Sequence, residues 1–214
     1  MHRFGDFEDP TKAIAVKLAL RRAGRQLGSA QQQVAPINRP LLDCMLATCE
    51  NNLIGARDRA TLLLVYETAR RRSELVAFSI ENLVEVKGRI TGIWLKKSKT
   101  DQFKTGKRLA LSETAAQAIE AWVGKARLES GPLLRAVRGH MIEDSLSAGQ
   151  VARIFKSRAT RAGLDDLARE SISGHSLRVG NAQDMLTSGA SLPQIMLSGG
   201  WSKPATALRY CENA

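Results

Sequence analysis

Leu83-Val84-Glu85-Val86, Ile90-Thr91-Gly92-Ile93-Trp94-Leu95 and Arg108-Leu109-Ala110-Leu111 are three short runs rich in β-forming residues, set apart by turns that carry Gly88 and Gly106. That pattern predicts three short antiparallel strands. On both sides of them the apolar residues return to helical spacing. Before the strands, helices are expected over residues 11–27, from Pro40 to about Cys49, from Arg57 to Arg70 and from Ser73 to Phe78. After them, Ser112 is placed as an N-cap, with Glu113 in the first turn of a helix running to about Glu129. Further helices fit residues 147–162, 175–189, 192–198 and 203–212. The expected fold is mainly α, with one small three-stranded antiparallel sheet.

Working outward, composition divides the chain. Residues 11–27 read as a basic amphipathic helix, with Ile14, Val16, Leu18, Leu20 and Leu27 against Lys12, Lys17, Arg21, Arg22 and Arg25. Gly28 and Ser29 end it. The stretch with Gln31, Gln32, Gln33, Pro36 and Pro40 suits a linker. The expected organisation is a helix-bearing segment at 1–28, a linker at 29–39 and a main domain at 40–214.

The chain has 214 residues, 43% of them hydrophobic, enough for one sizeable core without disulfides. Its three cysteines, Cys44, Cys49 and Cys211, form no Cys-x-x-Cys pair. Each reads as a small buried apolar residue, and a reduced, cytoplasmic compartment fits the set. No run of about 18 apolar residues is long enough to span a membrane. Met1–Pro10 carries Asp6, Glu8 and Asp9 and lacks the apolar centre of a signal peptide. The three histidines, His2, His140 and His175, stand in no carboxylate cluster of ligand spacing, which speaks against a metal site.

The formal net charge is +11 (32 basic against 21 acidic residues), which points toward a polyanionic partner. The charge concentrates on the strands. Lys87, Arg89, Lys96, Lys97, Lys99, Lys104, Lys107 and Arg108 face one acidic residue in that interval, Asp101. Such a run is either a solvated charged hairpin or a phosphate-facing surface; the excess of one sign favours the second, with Lys96, Lys97, Lys104, Lys107 and Arg108 as candidate phosphate contacts. The turn Lys97-Ser98-Lys99-Thr100 is short enough to hold a lysine outward.

Three further segments carry chemistry. Arg70-Arg71-Arg72-Ser73-Glu74 sits between two expected helices, and three adjacent arginines cannot all face one way. Arg71 with Glu74 is either a structural ion pair or a phosphate clamp, since a guanidinium donates two parallel hydrogen bonds and keeps its charge. His175 and Arg178 lie one turn apart, a pairing suited to proton transfer beside an anion but common by chance. Gly199-Gly200-Trp201 precedes Tyr210 by nine residues, and the chain's other tyrosine, Tyr66, falls in an apolar helix and reads as core.

Taken in this order, the segments resemble the tyrosine recombinase (phage integrase) family. The run His175-Ser176-Leu177-Arg178-Val179-Gly180, continuing through Asp184-Met185, Pro193, Ile195-Met196 and Gly199-Gly200-Trp201 to Tyr210, is most similar to its Cre branch, where Trp201 stands in place of a histidine found in many members. The resemblance covers about residues 38–212. It implies a tyrosine recombinase catalytic-domain architecture and a site-specific recombinase or integrase that cuts and rejoins double-stranded DNA through a 3′-phosphotyrosyl bond, without metal or ATP. Tyr210 would be the nucleophile. Arg71 and Arg178 would clamp the non-bridging oxygens, and His175 would act as base or phosphate donor. Lys99 would protonate the leaving 5′-oxygen. Trp201 would donate its indole N–H to the phosphate and pack the tyrosine-bearing helix, and Glu74 would hold Arg71. A homotetramer on DNA is implied for a full-length member.

Two departures bear on that assembly. Members carry an N-terminal helical domain, of which residues 1–28 match at most the last helix, and a C-terminal helix beyond the nucleophile that docks into a neighbour. Two other readings stay open. One is a type IB topoisomerase-like strand transferase, which shares the chemistry without a partner site. The other is a truncated integrase that only binds DNA.

Overall fold

A computed structural model describes residues 9, 13–27, 34–96, 106–212 and 214. It divides into two units, 1–33 and 34–214. In the first, α1 (Ile14–Leu27) is the basic amphipathic helix the sequence predicts, with Ile14, Leu18 and Leu20 exposed.

The second unit runs α2 (Arg39–Ala47), α3 (Leu53–Thr68), α4 (Arg72–Leu75), a single 3-10 turn, β1 (Leu83–Val86), β2 (Arg89–Leu95), β3 (Lys107–Ala110) and α5 (Glu113–Ala126). A small hairpin, β4 (Val137–Arg138) with β5 (Met141–Ile142), follows. The chain then continues through α6 (Ala148–Arg161), α7 (Asp166–Ser171), α8 (Ser176–Thr187), α9 (Leu192–Gly199) and α10 (Pro204–Cys211). The mainly helical fold with a small sheet is as expected. No described helix is long and apolar enough to cross a membrane.

Helix starts follow local chemistry. Asn38 caps α2 ahead of Pro40, Ser112 Oγ accepts the Ala115 N–H at 3.2 Å, and Ser147 with Gln150 forms a reciprocal capping box on α6. The expected helix from Arg57 to Arg70 is displaced at both ends. It begins at Leu53 because Asn52 is the N-cap: its Oδ1 accepts the Gly55 N–H at 2.8 Å. It stops at Thr68 because Ala69 turns left-handed (φ 47°), which takes Arg70 out of the helix.

The sheet has the order β1-β2-β3, antiparallel, with a bulge between Val84 and Glu85. Ile93 sits opposite Leu83 and Leu109, so one face is apolar and packs on α5, while Trp94 opposite Arg108 faces outward. Helix α3, buried almost all round, lies between α5 and α8. Around it gathers the main core, with Leu62, Leu64, Phe78, Ile119, Trp122 and Phe155 fully or almost fully buried. Trp122 donates its indole N–H to Leu133 O at 2.8 Å. Part of the expected linker belongs to this core: Ile37 is fully buried and its N–H reaches Ser176 O at 3.0 Å.

A second, smaller cluster joins α8, α9 and α10 through Ala182, Ile195, Trp201, Ala207 and Cys211. Cys49 and Cys211 are buried as expected, but Cys44 is exposed, because it lies on the face of α2 opposite Leu42 and Met45. Tyr66 is core, and its hydroxyl also donates to Asp184 Oδ2 at 2.6 Å, tying α3 to α8.

Candidate active site

Four elements deliver side chains to one place: the α3–α4 junction, the start of α8, the loop after α9, and the last turn of α10. At the junction, Arg71 is the N-cap position of α4. Its Nη1 meets Glu74 Oε1 at 3.0 Å, while its N–H donates to Glu74 Oε2 at 3.1 Å. Glu74 therefore fixes both the backbone and the guanidinium of Arg71, as i, i+3 spacing on a helix start permits.

His175 precedes α8 as its N-cap residue, and its N–H donates to Ser173 Oγ at 3.1 Å. Arg178 follows on the first turn. It is 1% exposed, an unusual place for a charge. Its Nη2 donates to Gly199 O at 2.9 Å, and its guanidinium carbon lies 5.2 Å from the Trp201 ring centre and 5.4 Å from that of Tyr210. Those distances suit cation–π attraction from both rings. Its Nε is buried with no hydrogen-bond acceptor among the described residues.

Trp201 and Tyr210 pack ring against ring, centres 4.6 Å apart and tilted by 42°. Tyr210 reaches this position because α10 starts at Pro204, buries Ala207 and Cys211 against α8 and α9, and is held at its end by Gln183 Nε2 donating to Glu212 O at 3.0 Å.

The electrostatics bear the mark of crowded cations. Burial, chiefly, brings Arg178 down to about 10; the nearby Arg71 and Arg70 push the same way, and Tyr210 and Glu74 oppose them. Arg178 remains a cation at neutral pH. Burial, then Arg178, Arg72 and Arg71, hold His175 below its ordinary value, so the imidazole stays neutral to lower pH than a free one.

The structure thus gathers Arg71, Glu74, His175, Arg178, Trp201 and Tyr210. Lys99, Lys97 and Lys104 lie outside the described residues. Lys96 is exposed at the end of β2. Arg108 is exposed on the outer face of the sheet and donates to Thr91 Oγ1 at 2.8 Å. Lys107 turns inward, its Nζ 3.0 Å from Leu197 O. Sequence reasoning passed over Arg70, which is 3% exposed and bound to two carbonyls, Thr68 O at 2.7 Å and Ser198 O. Among the described residues, no cluster of three His, Cys, Asp or Glu side chains is placed to hold a metal ion.

Residues 41–214 match the family model described as "Phage integrase family". The chain belongs to the phage integrase family. The chain is 27% identical over 230 residues to recombinase cre of Escherichia phage P1, with all of this chain and 67% of the relative covered. It is 32% identical over 189 residues to an integrase/recombinase xerD homolog of Selenomonas ruminantium, with 84% of this chain and 54% of the relative covered. The chain therefore spans between half and two thirds of these relatives' lengths. Among solved structures, the fold is similar to XerA recombinase, with a TM-score of 0.68 at 15% identity over 86% of this chain and 61% of that one. It is also similar to XerH site-specific recombinase bound to its difH substrate, with a TM-score of 0.66 at 16% identity over 87% and 51% of the two chains.

Proposed function

We propose that this protein cuts and rejoins double-stranded DNA at specific sites through a covalent bond between Tyr210 and a 3′-phosphate. The observation that carries this reading is the buried guanidinium of Arg178, which sits against the ring of Tyr210 with one N–H lacking a protein acceptor among the described residues. A buried N–H of a charged group with no acceptor is costly, and a phosphate oxygen supplies what it lacks. Family membership supports the reading, as does the circular intermediate DNA named in the complex of the Tn1549 transposon integrase, a neighbour in fold.

In the proposed reaction the Tyr210 hydroxyl oxygen attacks phosphorus and the bond to the 5′-oxygen breaks, leaving a 3′-phosphotyrosyl ester and a free 5′-hydroxyl. The tyrosine proton passes to neutral His175 or to water, and Lys99 protonates the leaving oxygen. Negative charge builds on the five-coordinate phosphorus, and Arg71 and Arg178, already in place, stabilise it. Trp201 packs against the nucleophile's ring and offers its N–H to the phosphate. A 5′-hydroxyl from a second strand reverses the step, so no ATP is consumed. Pairing of two such sites within a homotetramer belongs to this proposal, as does a cytoplasmic location. Segment 1–28 would then contribute DNA contacts from a clamping domain joined by the linker.

Arg71→Ala and Arg178→Ala are expected to slow cleavage of a nicked duplex by about 10²-fold or more. DNA affinity should change little, since many other cations hold the backbone. Equal losses of cleavage and affinity would count against the clamp. Relaxation of a supercoiled plasmid carrying no partner site would favour the topoisomerase-like alternative.

A further inference from the structure

Helix α9 ends on a set of contacts that phosphate binding alone does not require. Its last turn closes on Gly200 in the left-handed conformation (φ 66°), and the N–H groups of Gly200 and Trp201 both return to Met196 O. The next three carbonyls are those a helix end leaves to outside partners, and each takes a cation. Leu197 O accepts from Lys107 Nζ at 3.0 Å, Ser198 O from the Arg70 guanidinium, and Gly199 O from Arg178 Nη2 at 2.9 Å. The donors come from β3, from the α3–α4 junction and from α8. One helix end, carrying the negative pole of its dipole, therefore gathers β3 and two of the elements that build the site.

We propose that the carbonyl end of α9 sets the positions of the site's cations, and that Arg70 is a positioning residue locking the junction that carries Arg71 to the segment that carries Trp201. This rests on the reading of Tyr210 as nucleophile. Arg70 is buried, with Nε on Thr68 O at 2.7 Å and Nη2 on Ser198 O, so one rigid guanidinium bridges two segments 128 residues apart. A Cβ on Gly200 would come within 2.4 Å of Arg70 Nη1, so residue 200 needs glycine for the bridge as well as for its own φ. The crowding registers in the charges: burial lowers the proton affinity of Arg70, Glu74 opposes it and Arg71 adds to it, while burial and then Arg70 lower that of Lys107. Arg71 is the next residue after Arg70. Slippage of the bridge would move Arg71 relative to Trp201 and Tyr210, and a misplacement of about 1 Å in such a site costs on the order of 10²-fold in rate.

The test uses the full chain labelled with 5-fluorotryptophan, whose three ¹⁹F resonances come from Trp94, Trp122 and Trp201. They are assigned with Trp94→Phe and Trp201→Phe. In Arg70→Leu the Trp201 resonance should move while that of Trp122, deep in the main core, stays. The same variant should slow adduct formation on a nicked duplex by about 10²-fold, with affinity for intact duplex within about twofold. Arg70→Lys should recover part of that rate, because an ammonium reaches one of the two carbonyls but not both. Gly200→Ala, which crowds Arg70 and also strains its own left-handed backbone, should shift Trp201 as well. An unmoved Trp201 resonance in Arg70→Leu would overturn the proposal. So would equal shifts of Trp122 and Trp201 in that variant, which would mark loss of fold instead. A wild type that forms no adduct would count against the strand-transfer reading alone, and the resonances would still decide the positioning claim.

Discussion

A neutral imidazole beside three arginines is held neutral by two causes acting together, burial and repulsion, and that makes His175 the residue whose titration can be followed. Its folded value lies below the ordinary 6.5, with burial the larger cause and Arg178, Arg72 and Arg71 adding to it. If His175 accepts the tyrosine proton, adduct formation should hold steady as pH falls to about 6.5 and decline only below it. Removing one repelling charge with Arg72→Ala should move that decline to higher pH. A limb that does not move in a pH–rate profile would contradict the electrostatic account. The same depression has a stability consequence. The unfolded chain takes up the proton first, so stability conferred by neutral His175 is complete above about 6.5 and is lost as pH falls from there through the lower folded value. At this scale the sequence was informative where the partner lies within a helical turn, as for Arg71 and Glu74. Arg70 escaped notice because its acceptors are main-chain carbonyls, one of them 128 residues away, and a carbonyl has no residue type to read.

Elements were legible where a side-chain signal and a period coincide. Ser112 ahead of α5 and Pro40 in α2 mark their helices because the cap chemistry is written in residue types. Helix α7 was missed because it buries no residue and leaves Leu167 exposed, so no apolar period announces it. The β4–β5 hairpin was missed because its strands are two residues long. The joint between α8 and the chain before α2 offers a test of packing. A Cβ on Gly180 would fall 1.8 Å from Ile37 O, a backbone atom pinned by its own residue's hydrogen bond to Ser176. Alanine in mid-helix usually gains about 1 kcal/mol over glycine. Here the overlap should outweigh that gain, so Gly180→Ala is expected to lose on the order of 1–3 kcal/mol, read as a lower urea midpoint at unchanged slope. A neutral or stabilising result would contradict the close approach of α8 to Ile37.

Across the whole molecule, charge and core answer different questions. The sheet set among helices and the ordered motifs are enough to give the fold class. The +11 charge pointed to a polyanion without choosing one. If that charge neutralises a DNA backbone, the logarithm of affinity should fall steeply and linearly with the logarithm of salt concentration, by roughly 0.9 for each phosphate contacted. A flat titration would remove the backbone from the account. The division after Gln33 was less legible, because the proline-punctuated stretch reads as linker while Ile37 within it is core. The most direct measurement of the central claim is covalent trapping: wild type and Tyr210→Phe incubated with nicked duplexes, then denatured. The account predicts a protein–DNA adduct from the wild type alone, with the nucleotide attached at Tyr210. An adduct that persists in Tyr210→Phe, or none from a wild type that binds the duplex, would contradict it.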